Sequence, residues 1–198
     1  MMKSIRCSCI KIPKLIHGII ILIFLVFSNP IKMLADEVKE IEYTTSSLQA
    51  LQEFKLGLLY FDAGDNLTSY DHFSKAIEYD PYFAIAYAHR AFCSGSREEF
   101  IHDTRKALSQ IHKVNPFEEV FININETYIS GNIEQRLELA SRLTGLKPGS
   151  ERSWISYGLI LQETHHIDEA REIFEKARIR APEWGGIYTI LGQSYVNH

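Results

Sequence analysis

The sequence is poor in cysteine, and its cysteines are badly placed for disulfide bonds. The chain of 198 residues contains three, and Cys7 and Cys9 lie before an apolar run near the N-terminus. If a leader containing that run is removed, Cys93 is the only thiol left. One cysteine cannot form an internal disulfide, so the fold has to be held together by packing.

Clustered positive charge is also absent from most of the chain. All 25 acidic residues lie at or after Asp36, whereas five of the 21 basic residues precede it, so residues 36–198 carry a formal net charge of −9. Binding to a phosphate backbone needs clustered lysine and arginine. The composition therefore argues against a nucleic-acid partner.

Motifs of catalysis and cofactor binding are missing after the leader. The chain has no G-x-S-x-G, no phosphate-binding glycine loop and no C-x-x-C there, which are the spacings that mark nucleophilic, nucleotide and redox sites. His89, His102 and His112 are scattered, without cysteines at ligand spacing. We therefore expect no enzyme activity, no cofactor and no metal site.

A hydrophobic run long enough to span a bilayer is lacking as well. The apolar run at 15–27 has about 13 residues, whereas a membrane-spanning helix needs about 20. Four basic residues precede it, as in a secretory signal. We expect residues 1–35 to be a signal peptide, cleaved after Ser28 or Ala35, with export to the periplasm or medium. An uncleaved membrane anchor is the alternative.

Regularly spaced prolines are the first positive feature. Pro81, Pro116, Pro148 and Pro182 are separated by 35, 32 and 34 residues. Because proline ends helices, regular prolines indicate helices that end at regular intervals. A period of this length is typical of repeat proteins.

Two stretches share one residue pattern at a common separation of 101 residues. The first shows Leu56, Gly57, Tyr60, Gly64, Ser69, Phe73, Ala76 and Pro81. The second shows Tyr157, Gly158, Leu161, Ala170, Phe174, Ala177 and Pro182, preceded by Trp154. The chain's last stretch begins the pattern again with Tyr188, Leu191, Gly192 and Tyr195.

These spacings resemble the tetratricopeptide repeat, over about residues 50–198. The resemblance implies an all-α fold, a right-handed α-solenoid of antiparallel helix pairs with about four repeats and a terminal helix. Small residues would let the paired helices approach closely, and Gly64 would end a helix in the left-handed conformation. Residues 36–49 are polar and lack the pattern, so we interpret them as a linker.

The middle repeats match less well. The second has a shorter turn between its helices and extra residues before Pro116, which we interpret as a second helix longer by about one turn. In the third, Ile124 and Arg136 stand where small residues are expected, which predicts looser or differently angled packing.

The adjacent histidines His165 and His166 look at first like a metal or acid–base site. In the repeat frame they align with Gly64 and Asp65, at the turn between two helices. Asp168 and Glu169 would then open the next helix, where negative charge favours the helix dipole. Neighbouring residues on a helix face different ways, and the spacing is not that of a metal-binding helix. We therefore expect a turn rather than a site.

In the family that the chain resembles, the first helix of each repeat lines a groove that receives a peptide or partner helix. The groove positions carried over by the resemblance are Leu51, Phe54, Leu58, Phe61, His89, Phe92, Phe121, Ile122, Asn125, Tyr128, Ile155 and Leu159, with Ala88, Ser156 and Gln162 beside them. An alternative is that some of these residues are core between neighbouring helices. The family's lysine and asparagine carboxylate clamp is absent, because its positions carry Phe54, Leu58, His89, Glu118 and Ile122.

Three functions are compatible with this pattern. The first is a non-catalytic, exported scaffold that binds a protein or peptide in a mostly apolar groove, where aromatic anchors contribute most of the affinity. The second is an assembly subunit that self-associates through the terminal helix with Ile187, Tyr188, Leu191 and Tyr195, or part of a longer array. The third, an enzyme that uses its histidines, is the least favoured.

Overall fold

The computed structural model describes residues 41–182 and 185–196. The expected leader at 1–35, with its two candidate cleavage sites, and the first part of the expected linker lie outside these residues. Within the described residues, no helix combines the length and the apolar character needed to cross a bilayer.

All regular structure in the described residues is helical. It consists of nine α-helices and one short 3₁₀ turn at Ile111–Lys113. The α-helices are α1 (Leu48–Asp62), α2 (Asn66–Tyr79), α3 (Ala84–Cys93), α4 (Arg97–Leu108), α5 (Pro116–Ser130), α6 (Ile133–Leu146), α7 (Glu151–Glu163), α8 (Ile167–Arg180) and α9 (Gly185–Val196). Successive helices pack as the pairs α1/α2, α3/α4, α5/α6 and α7/α8, followed by α9. The predicted all-α solenoid of four repeats and a terminal helix is confirmed.

The first and fourth repeats are held by the same close contact between a glycine and a phenylalanine. A Cβ atom built on Gly57 would lie 2.5 Å from Cε1 of Phe73, and one on Gly158 would overlap the same atom of Phe174. Both phenylalanines are fully buried. The glycines therefore stand where the two helices of a repeat approach too closely for any side chain, as the sequence pattern predicts.

The second repeat differs from the expectation of a longer second helix. The expected shorter turn is wrong, because the turn of three residues is as long as that of the first repeat and the first helix is short instead. The longer second helix is wrong as well, because α4 ends at Leu108 and the extra residues form the 3₁₀ turn. Pro116 does not end α4. It is the first residue of α5, preceded by the N-cap Asn115, which forms a capping box with Glu118. Proline suits this position because its missing N–H would have had no partner there.

Arg136 lies in the second helix of the third repeat, at a position where the repeat pattern expects a small residue. Its contacts explain how this repeat packs. Its guanidinium is buried, donates to the carbonyl oxygen of Thr127 at 3.0 Å and pairs with Glu163 at 2.7 Å. It also lies 3.5 Å above the ring centroid of Tyr128. The third repeat is therefore joined by a polar network at the position of Ser69 and Ala170 in the first and fourth repeats, rather than being loosely packed.

His165 and His166 form the turn between α7 and α8, as predicted. His165 has φ of +64°, close to the +79° of Gly64 and +76° of Gly131. His166 is the N-cap of α8 but makes no side-chain capping hydrogen bond, whereas Asp168 and Glu169 lie in the first turn. A side chain in the left-handed region is strained, so this turn is less well adapted than its counterpart in the first repeat.

Exchanging this turn for the one in the first repeat is expected to stabilise the protein. Gly64 precedes Asp65, whose carboxylate caps α2 by accepting from the Thr68 N–H at 3.0 Å. The double variant His165→Gly/His166→Asp should raise the free energy of unfolding by about 1–2 kcal/mol, measured in urea. His165→Ala is the control, because it removes the imidazole and keeps the left-handed strain. An equal gain in both variants would contradict this explanation.

The structure shows where the repeat region begins and how its last helix packs. α1 begins at Leu48, two residues before the predicted start, with Ser47 as its N-cap. The described part of the expected linker lies against the helices, and Ile41 is buried. At the other end α9 buries Ile187 and Leu191 against the preceding repeat, while Tyr188 and Tyr195 stay exposed.

Candidate functional site

The first helices of all four repeats surround one cavity of about 280 Å³. We call it the groove cavity. It is lined by Tyr43 from the segment before α1, Phe61 and Asp62 of α1, His89 and Phe92 of α3, Phe117, Phe121, Ile124 and Tyr128 of α5, and Arg152, Ile155, Ser156, Leu159 and Ile160 of α7. The resemblance implied that first helices line a groove, and the cavity lies among these helices.

Most of the predicted groove residues lie at this cavity. Those that line it are Phe61, His89, Phe92, Phe121, Tyr128, Ile155 and Leu159. Their exposure varies widely, since His89 is buried and Leu159 is 44% exposed. The predicted set therefore includes lining residues from each of the four first helices, but not Tyr43 of the segment before α1.

Other predicted groove residues belong to the core instead. Phe54, Leu58 and Ile122 are buried in the first core cluster, and Leu51 is half-buried and does not line the cavity. Asn125 is fully buried, and its amide donates to the carbonyl oxygen of Ala88 at 2.8 Å. The four buried positions face the neighbouring helices, as the core alternative predicts.

Phe54 shows why such a position becomes core. Its ring centroid is 5.5 Å from that of Phe73 on the second helix of its own repeat and 5.1 Å from that of Phe83 at the start of the next repeat. Tyr43 covers it edge-on at 4.7 Å. A side chain enclosed on three sides in this way is not available to a partner.

His89 contributes a neutral ring to the cavity wall. Its ring lies parallel to that of Phe121, with centroids 4.3 Å apart, and Nδ1 lies 3.0 Å from the carbonyl oxygen of Ile85. Burial lowers the pKa of His89 from 6.5 to about 3, the hydrogen bond to Ile85 opposes this, and the charge of Arg152 adds to it. With one nitrogen bonded to the backbone and the ring neutral, His89 acts here as an aromatic surface.

Tyr128 brings the aromatic wall to the rim of the cavity. Its ring meets Phe92 edge-on with centroids 5.6 Å apart, and its hydroxyl donates to Glu163 at 2.6 Å. Burial first, and then the hydrogen bond to Glu163, raise the pKa of Tyr128. The hydroxyl therefore stays protonated and anchors the ring.

One ion pair lies in this mostly apolar lining, and no sequence motif predicts it. Arg152 at the start of α7 holds Asp62 at the end of α1 in a two-pronged contact, with N–O distances of 2.7 and 2.5 Å. Burial raises the pKa of Asp62, and the contact with Arg152 only partly opposes that shift. The pair joins the first and fourth repeats at the edge of the cavity. Ninety residues separate the partners, so no local motif marks them.

The groove cavity is suited to binding. Its walls are aromatic and aliphatic with a few polar groups, as in sites that hold apolar groups by burial.

Among the described residues, no group of three histidine, cysteine or acidic side chains is placed to hold a metal ion. Burial raises the pKa of the half-buried Cys93 thiol to about 12, so this thiol is not an activated nucleophile.

Comparison with known proteins gives only distant likenesses. No protein-family model and no curated protein matches the sequence. Among solved structures, a YrrB structure described as a TPR protein with an unusual peptide-binding site is 17% identical, with a TM-score of 0.40 over 74% of this chain and 76% of that one. MamA 41-end from Desulfovibrio magneticus RS-1 is 13% identical, with a TM-score of 0.42 over 77% and 86%.

The chain's own geometry defines its class. The described residues form an α-solenoid of antiparallel helix pairs, with a cavity surrounded by the first helix of each pair. The repeats are tetratricopeptide-like, because the glycine–phenylalanine contacts of the first and fourth lie at the spacing of that motif.

Proposed function

We propose that this protein is a non-catalytic interaction scaffold that binds an apolar segment of another protein in the groove cavity. The observation that carries the proposal is the composition of that cavity, which is lined mostly by rings and aliphatic side chains from four repeats, with one ion pair at its edge. Repeat solenoids commonly use such surfaces for extended partners. The acidic charge after residue 36 argues against nucleic acid.

The size of the cavity suits an anchoring side chain of a partner. Pockets for small molecules measure about 300–1,000 Å³, and this one, at about 280 Å³, lies just below that range. Such a pocket suits one large aromatic or aliphatic side chain of a partner. Anchors of this kind provide most of the affinity of a protein interface.

Variants of the cavity wall test this function. The partner is first identified by cross-linking and mass spectrometry in the protein's own compartment, and its binding is then measured. Phe92→Ala with Leu159→Ala should weaken binding by about 30-fold, which corresponds to about 2 kcal/mol. Leu67→Ala is the control, because Leu67 is 79% exposed on α2 and does not line the cavity. Unchanged affinity in the cavity variant would refute the site.

Export is part of the proposal and is supported by the basic residues and apolar run before residue 28. Fractionation of cells, followed by sequencing of the N-terminus of the purified protein, tests it. A mature chain that starts after Ser28 or Ala35 in an exported fraction is expected. A chain that retains Met1 in the membrane fraction would favour the anchor.

Self-association through α9 is the alternative function. Tyr188 and Tyr195 are 51% and 59% exposed, which leaves room for a second molecule. Each already has a contact, since the Tyr188 hydroxyl donates to Pro182 and Arg171 lies over the ring of Tyr195. Sedimentation equilibrium separates the alternatives, because a monomer at high concentration would exclude this assembly role.

A further inference from the structure

The segment before α1 has the alternation of an extended peptide bound to a surface. Ile41 is buried, Glu42 is exposed, Tyr43 is half-buried, Thr44 is exposed and Thr45 is half-buried. A period of two is that of an extended chain, whose successive side chains point to opposite sides. After Tyr43 the chain bends at Thr44, where the N–H of Thr45 donates to the carbonyl oxygen of Tyr43 at 3.1 Å. We call residues 41–45 the strap.

The main chain of the strap is held by side chains at the start of α5. The amide of Asn115 donates to the carbonyl oxygen of Glu42 at 2.8 Å, and the N–H of Thr44 donates to Oε1 of Glu118 at 2.8 Å. Glu118 is fully buried, and burial raises the pKa of its carboxyl group against the opposing hydrogen bonds. These two bonds recognise backbone atoms, so they are available to another peptide, and the N–H of Asn115 adds a bond to the Thr44 hydroxyl at 3.3 Å.

The inward side chains of the strap enter the apolar part of the groove. Ile41 joins the core cluster that contains Phe117, Ile124 and Ile160, and these three residues also line the groove cavity. Tyr43 lies on the wall of the same cavity. The strap therefore covers surface that is continuous with the proposed binding site.

We propose that the strap is an intramolecular ligand of the groove, and that the natural partner is an extended segment that competes for its seat. The partner's segment carries two large apolar side chains, two residues apart, in the places of Ile41 and Tyr43. This inference deepens the proposed function and rests on it. It also defines a regulatory contact, because the partner binds fully only when the strap has left.

The arrangement of contacts makes the strap displaceable. Its polar anchors are the two backbone hydrogen bonds, the two longer bonds of 3.3 and 3.4 Å that the Thr44 hydroxyl accepts from Asn115, and the bond from the Thr45 hydroxyl to Asp80 at 2.6 Å. The side chain of Glu42 is exposed. A tethered ligand competes at an effective concentration in the millimolar range. When the strap has left the groove in only a fraction of the molecules, the apparent affinity of the groove for a free ligand is multiplied by that fraction.

The test uses the full chain and a labelled peptide, EIEYTTSS, which copies residues 40–47. The variant Ile41→Asp/Tyr43→Ser weakens the strap without changing the side chains of the helices. We expect this variant to bind the peptide about tenfold more tightly than the wild type. Glu42→Gln is the matched control, since Glu42 is exposed and contributes its backbone, and it should bind as the wild type does. Equal affinities of wild type and strap variant, or no binding to either, would overturn the inference.

A second measurement avoids the risk that the strap variant fails to fold. In the wild type, saturating peptide should speed hydrogen exchange at the Thr44 amide, because displacement breaks its bond to Glu118. Unchanged exchange would overturn the inference. The proposed function fails separately, if the cavity variants Phe92→Ala/Leu159→Ala bind the natural partner as the wild type does.

Discussion

The Phe54→Ala variant is expected to unfold with a free energy about 3–5 kcal/mol below that of the wild type, the usual cost of truncating a buried phenylalanine. Phe54 is fully buried and packs against Tyr43, Phe73 and Phe83. Its removal leaves a cavity where the strap, the first repeat and the second repeat meet. These three elements cannot all move inward to fill the space that an alanine leaves empty.

Urea unfolding followed by circular dichroism measures this loss. Phe92→Ala is the comparison, because Phe92 is half-buried on the cavity wall and its truncation should cost less stability while it weakens partner binding. A loss below about 1 kcal/mol for Phe54→Ala would contradict the assignment of Phe54 to the core. The pair of variants thus separates a core residue from a groove residue, although the sequence pattern placed both in the groove.

Acidification from pH 7.5 to 4.5 is expected to remove about 2–3 kcal/mol of stability through His89 alone. The folded protein holds the pKa of His89 at about 3 because the ring is buried, whereas the unfolded chain binds a proton near pH 6.5. Above that pH both states are neutral and the contribution is fully present. It is lost as the pH falls from about 6.5 towards 3, because only the unfolded state takes up the proton.

Two other buried groups act in the opposite direction. Burial raises the pKa values of Asp62 and Glu118, so the folded state takes up their protons first and gains stability on acidification. The effect of His89 is therefore measured as a difference, by comparing urea unfolding of the wild type and His89→Gln across this pH range. His102→Gln is the control, since the side chain of His102 is 62% exposed. The same pH dependence in wild type and His89→Gln would contradict the account.

Much of the fold could be predicted because helix pairing imposes local demands on single residues. Gly57 and Gly158 are needed where a Cβ atom would overlap a buried ring. This requirement recurs at the same position of the pattern in both repeats. Alignment of His165 with Gly64 likewise predicted a turn, and the φ of +64° at His165 is close to the +79° of Gly64. These features depend on neighbours within one repeat, so a pattern of spacings reveals them.

The features that the sequence did not reveal depend on contacts between distant repeats. The pairing of Asp62 with Arg152 joins α1 to α7, and the strap bonds to Asn115 and Glu118 across more than two repeats. Whether an apolar first-helix residue faces the groove or a neighbouring helix also depends on how the repeats stack. Phe54 and Phe92 look alike in the sequence for this reason. The alternation of Ile41 and Tyr43 was the one available signal for the strap.

Photo-cross-linking from the cavity wall tests the central claim most directly. Benzoyl-phenylalanine is placed at Phe92 in one chain and at Leu67 in another, and the cross-linked residues of the partner are mapped by mass spectrometry. Binding in the groove predicts that position 92 captures an extended segment with large apolar side chains two residues apart, while position 67 does not. Equal capture from both positions, or capture from position 67 alone, would contradict it.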